Sequence, residues 1–172
     1  MAEFSSCGLY RWCLRRRLSL EKKTIIFIGL NPSRADSKFD DPTLRRLMKL
    51  GGKWGYGNLI VVNLFARISA SPAILRKSYD PIGKRNDKEL SDHFFDWSKN
   101  AMCDLWLGWG NQGVLKHRNI DVMRLLEEHS INRSFKHPKA FGPLVLGLTS
   151  KGHPRHPLYC SNQVFLTPLS CL

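Results

Sequence analysis

The hydrophobic positions along the chain fall into two alternating patterns. Ile25-Ile26-Phe27-Ile28-Gly29 is apolar or small throughout and rich in β-branched residues. A run without alternation predicts a strand buried on both faces, as inside a parallel sheet. Three further runs read the same way: Leu59 to Phe65, Asp104 to Gly110, and Pro143 to Leu148. The segments between them switch to helical spacing. Leu44, Leu47 and Met48 fall on one face, as do Leu90, Phe94 and Trp97, and then Ile120, Met123 and Leu126.

The punctuation agrees with this reading. Asp40-Asp41-Pro42-Thr43 carries a capping carboxylate followed by a proline suited to the first helical turn. Gly51-Gly52 is expected to stop that helix. Ser71-Pro72 predicts a short helix, and Asn86-Asp87 a longer one. A helix over 119–129 precedes the fourth strand. Gly8 to Leu20 reads as an edge strand or loose hairpin whose arginines face solvent, for phosphate contact or for edge protection. Four apolar strands separated by helices predict one three-layer α/β/α domain around a mostly parallel four-stranded sheet. Residues 160–172 form a short tail.

Two features stand out against this frame. The first buried strand ends in Gly29-Leu30-Asn31-Pro32-Ser33. Such a turn brings backbone amides and one amide side chain to the carboxyl edge of the sheet, where open α/β folds bind ligands. The second is Asn63, a polar residue in a buried strand. An unpartnered amide there costs roughly 1–3 kcal/mol, so it either ties down a neighbouring loop or reads a ligand.

Charge narrows the partner. The 172 residues hold 27 Lys and Arg against 14 Asp and Glu, a net charge of +13. That excess points to a polyanion, nucleic acid before membrane. Five cysteines, an odd number without a C-x-x-C pair, give neither a disulfide framework nor a zinc signature. Reduced thiols in a cytoplasmic setting are expected. No apolar run reaches the length of a membrane span, and no secretory signal pattern is seen.

Several chemistries are excluded by their missing motifs. There is no phosphate-binding G-x-x-x-x-G-K-[ST] loop, no G-x-S-x-G elbow and no dinucleotide fingerprint. After the fourth strand the chain runs Lys151-Gly152-His153-Pro154-Arg155-His156-Pro157-Leu158-Tyr159. The prolines stiffen this loop. Two histidines flanking an arginine suit an anionic or hydrogen-bonding ligand, and no third metal ligand lies nearby.

Gly29-Leu30-Asn31-Pro32-Ser33, Asn63 and His153 to Leu158 together resemble the uracil-DNA glycosylase superfamily. From about Leu9 to Tyr159 the chain also looks like a bacterial and phage family defined as a conserved domain of unknown function. The segments that carry this are Leu30-Asn31-Pro32-Ser33 with Ala35-Asp36, Asp40 to Arg46, Trp54-Gly55-Tyr56-Gly57, Val61 to Ala66, Asp80-Pro81-Ile82-Gly83, Asn86-Asp87 and Leu146 to Tyr159.

The glycosylase resemblance implies a monomeric, cofactor-free enzyme. It would act on double- or single-stranded DNA, flip a base from the stack and hydrolyse its N-glycosidic bond. Asn31 would position the attacking water. Asn63 would read the base edge, and His153 or His156 would stabilise the departing base. Pro32 and Ser33 would underlie the nucleotide, Phe39 would stack on the base, and Leu158 would fill the duplex gap. Arg34, Arg67, Lys151 and Arg155 would contact DNA.

The chain departs from the superfamily pattern in two places. Asn31 stands where efficient uracil enzymes carry aspartate, so the site would rely on positioning and electrostatic help to the leaving group, or would borrow a carboxylate such as Asp36 or Asp40. Ser33 stands where thymine-rejecting members carry a bulky aromatic, which leaves room for a 5-substituted uracil such as 5-hydroxymethyluracil. Cys7, Cys13, Cys103 and Cys160 do not match the spacing of the iron–sulfur members, so no cluster is expected. The rival expectation is a non-catalytic module that senses a modified base.

Overall fold

The computed structural model describes residues 1–33 and 40–169. Seven strands form one sheet in the order β1-β2-β4-β3-β5-β6-β7. The four apolar runs supply its centre: β3 (Thr24–Gly29), β4 (Asn58–Asn63), β5 (Cys103–Leu107) and β6 (Leu144–Val145). Their mutual pairings are parallel, Ile28 lying beside Val62 on one side and Leu107 on the other.

The expected four-stranded sheet is corrected here to seven strands. β1 (Ala2–Phe4) and β2 (Arg11–Arg17) form an antiparallel hairpin on one flank, and β7 (Thr167–Pro168) pairs antiparallel with β6 on the other. β2 is therefore an inner strand. Arg11 is buried, against the expectation that these arginines face solvent. The run Pro143 to Leu148 leaves the sheet after two residues, because Gly147 takes a φ of +100° and turns the chain.

Strict alternation along β3 feeds two apolar layers. Ile25 and Phe27 pack with Leu44, Leu47 and Leu50 of α1 (Pro42–Lys53). Ile26 and Ile28 pack with Leu75 of α2 (Pro72–Lys77), Leu90, Phe94 and Trp97 of α3 (Asn86–Lys99), and Val122 and Leu126 of α4 (Arg118–Lys136). Helices thus cover both faces.

The predicted caps form. Asp41 accepts from Leu44 N at 2.6 Å, and Ser71 accepts from Ile74 N at 3.3 Å. Two local expectations differ. Gly51 and Gly52 lie inside the last turn of α1, and a Cβ added at the buried Gly51 would lie 2.9 Å from the Leu18 side chain. On α4 the inward residues are Val122 and Leu126, while Ile120 is 45% exposed.

Sheet order places the site. From β3 the chain crosses through α1 to β4 on one side. From β4 it crosses through α3 to β5 on the other side of β3. The connections leaving the carboxyl ends of β3 and β5 therefore diverge, which opens a crevice above β3.

Candidate functional site

A cleft of about 820 Å³ lies at that crevice. Its floor comes from the ends of the central strands. The Phe27 ring sits between the ends of β3 and β5. A Cβ added at Gly29 would lie 3.0 Å from that ring, and one at Gly108 would lie 2.5 Å from it. The same Cβ at Gly29 would lie 2.8 Å from Asn63 Oδ1. Glycine at position 29 is thus required by the close approach of Phe27 and Asn63, independent of backbone torsion.

Asn31, Ser33 and Asn63 all line the cleft. The Asn31 side-chain nitrogen donates to the carbonyls of Pro32 at 2.9 Å and Ser69 at 3.0 Å. Both amide protons are used, so the side chain is locked and its Oδ1 remains as an acceptor. Asn63 is only 4% exposed, and its Nδ2 has no hydrogen-bond partner among the described residues. The neighbouring loop is tied down by another residue: Asn86 donates to the backbone carbonyls of Asn63 and Leu64 at 3.1 and 2.8 Å. Loop-tying is thus performed by Asn86, and the Asn63 side-chain amide lines the cleft with its Nδ2 unpartnered among the described residues.

The late loop places the two histidines differently. Gly147 and Gly152 both take positive φ, and Leu148 bridges Pro154, which folds 147–154 into a tight turn. His153 is held there by its backbone: its N–H donates to Thr149 Oγ1 at 3.2 Å, and its carbonyl accepts from Thr149 N at 2.7 Å. His153 is not among the cleft-lining residues, whereas His156 and Arg155 are.

Burial lowers the His156 pKa below its ordinary 6.5, with the Asp41 carboxylate opposing that shift. The ring is therefore neutral at physiological pH. Its Nδ1 accepts from Leu158 N at 3.4 Å, which leaves the proton on Nε2. The cleft thus contains a neutral imidazole with a defined donor.

One cleft residue was read from the sequence only as a helix cap. Asp41 also lines the site, where its second oxygen accepts from the Ser33 hydroxyl. Asp40, the alternative carboxylate, is paired with Arg16 at 2.7 Å and is not among the lining residues. A capping aspartate at the start of a helix that abuts a ligand crevice serves both roles, and the doublet Asp40-Asp41 hides which of the two does so.

The remaining candidates are spread around the cleft. Pro32 accepts the Asn31 amide. Arg155 donates to Leu148 O at 2.8 Å and is otherwise exposed. Arg67 lies over the Tyr10 ring at 5.6 Å, on a separate shallow groove. Lys151 and Leu158 are exposed beyond the rim. Arg34, Asp36 and Phe39 lie outside the described residues.

Position of the late loop depends on α1. Arg46 donates to Cys160 O at 2.8 Å, to Ser161 O at 2.5 Å and to Asn162 Oδ1. It thereby clasps the segment that follows His156. Two further lining residues escaped the sequence reading: the buried Arg11, on a strand taken for an edge, and Trp109, whose indole packs against Gly113.

No curated protein and no solved structure matches the chain. Residues 11–158 match the model of a family described as a protein of unknown function, DUF1643, and the chain belongs to that family.

Proposed function

We propose that the protein is a DNA glycosylase that removes a uracil-type base by hydrolysis of its N-glycosidic bond. The observation that carries this reading is the convergence of Asn31, Asn63 and His156 on one cleft at the carboxyl ends of β3 and β4. Each group offers what the reaction needs. The unpaired Asn63 Nδ2 donates to the base carbonyl at position 4, and its Oδ1 accepts the N3 proton. The His156 Nε2–H donates to O2. Water bound to the free Asn31 Oδ1 attacks C1′. The C1′–N bond breaks, and its electron pair leaves with the base, whose anionic charge spreads onto O2 beside the imidazole. The water proton passes to the Asp41 carboxylate and then to the base. Positioning and leaving-group stabilisation dominate this scheme, since Asn31 cannot act as a base.

The base itself is read as 5-substituted. Ser33 is small, and its hydroxyl with the Asp41 carboxylate makes a polar wall that can bond a 5-hydroxymethyl group. The net charge of +13 supports a polymeric substrate, because it supplies the phosphate attraction that a free nucleoside does not need.

The test is incubation with oligonucleotides carrying single uracil, 5-hydroxymethyluracil or thymine, followed by alkaline cleavage of abasic sites. Strand scission at 5-hydroxymethyluracil is expected, and Ser33→Tyr should remove that activity while sparing uracil. Tight binding to a modified strand without scission would show a sensor in place of an enzyme.

A further inference from the structure

We propose that Cys13, Glu89 and His93 form a second, buried site that binds one transition-metal ion of the zinc class and clamps β2 to α3. Cys13 lies on the face of β2 that packs on α3. Glu89 and His93 lie one turn apart on that helix. Their donor atoms, one thiol sulfur, one carboxylate oxygen and one imidazole nitrogen, all fall within 4.8 Å of one another. The three residues are 1%, 7% and 4% exposed.

An apolar layer is a costly place for these groups unless something satisfies them together. His93 Nε2 has no hydrogen-bond partner among the described residues, and its nearest acidic oxygen is Glu89 Oε1 at 3.5 Å. The other Glu89 oxygen accepts from Arg85 at 3.0 Å, which orients the carboxylate with Oε1 toward the imidazole. An S, N, O donor set suits zinc, whose tetrahedral bond lengths place ligands about 3.3–3.6 Å apart. The donors already lie within 4.8 Å of one another, and binding would require side-chain rotation to close the set. Thiolate and carboxylate would offset the divalent charge, while Arg85 pairs with both Glu89 and Glu3 and Arg15 pairs with Glu3. No short motif announces the site, because the fold draws its donors from two distant elements. Arg11 and Leu14, on the same strand as Cys13, line the cleft, so the ion would brace one wall of it.

The full-length protein, stripped with chelator, is titrated with Co²⁺ and separately with Zn²⁺. One equivalent of Co²⁺ should give thiolate-to-cobalt charge-transfer absorption in the near ultraviolet with strong visible bands of a tetrahedral ion, and Zn²⁺ should raise the unfolding temperature. His93→Gln should weaken the metal by at least about 100-fold, since loss of an outer-shell partner alone costs up to that. Cys13→Ser should abolish the thiolate band, and Cys7→Ser should leave it intact. A wild-type protein that develops no thiolate band overturns the site, whatever the variants do. So does a band that survives in Cys13→Ser, because the ion then sits on another cysteine.

Discussion

Two buried polar side chains of similar burial, Asp104 at the amino end of the central strands and Asn63 at the carboxyl end, have opposite surroundings. At the amino end Asp104 is saturated. It accepts from Tyr56 Oη at 2.6 Å and pairs with Lys23 Nζ at 2.8 Å and Arg133 at 3.7 Å. Burial, with Asp104 behind it, pushes the Tyr56 phenol far up, so the proton that makes this bond is permanent. Arg133 spends its remaining donors on the carbonyls of Trp97, Asn100, Cys103 and Phe141. At the carboxyl end, Asn63 Nδ2 and Trp109 Nε1 are buried and find no partner among the described residues. Satisfied polar groups at one end hold the fold. The Asn63 amide at the other end lines the cleft without such partners among the described residues.

That contrast is breakable from either side. The largest effect is expected at His156: substitution by Gln should cut turnover by about 10²–10⁴-fold, the range of a positioned proton donor, while urea unfolding stays near the parent. Asp104→Ala should do the reverse. Removing one member of a buried pair costs about 3–5 kcal/mol, read as a lower urea midpoint, with turnover per folded molecule preserved. If Asp104→Ala abolished turnover in protein that is demonstrably folded, the two ends would not be separable.

Asn63→Leu sharpens the same point at smaller scale. It deletes a donor without a partner, so stability should stay within about 1 kcal/mol of the parent. Binding of a modified-base oligonucleotide should fall by about tenfold or more, read by fluorescence anisotropy.

The smallest effect concerns pH. Burial lowers the folded-state pKa of His156 below 6.5, so its neutral form is favoured by folding. Turnover should hold through neutrality and decline only on the acid side of 6.5. The stability contributed by this group is present above the unfolded value and is lost as pH falls through the folded one. A decline that began above neutrality would remove His156 from the donor role.

Much of the fold was legible because local signals and tertiary outcome coincide. The unbroken apolar runs became the parallel centre of the sheet, and Asp41 and Ser71 cap the helices they announce. Leu90, Phe94 and Trp97 are fully buried. What escaped is what depends on partners distant in sequence. β1 and β7 are too short to show a period, and Arg11 is buried on a strand that lies inside the sheet and not at its edge. The choice between His153 and His156 rests on two positive-φ glycines and a bridge between Leu148 and Pro154. A linear pattern does not encode which way such a turn faces. The cysteine–glutamate–histidine cluster has the same character, since β2 and α3 meet only after the sheet is assembled.

One feature of the cleft reaches beyond equilibrium. Its walls are built from positions as early as Arg11 and as late as Tyr159. During synthesis the amides of Asn31 and Asn63 emerge long before the imidazole of His156, and the clasp from Arg46 waits for residues 160–162. A chain still on the ribosome therefore owns half a pocket and no means of using it. The cleft is complete only once its last segment has emerged.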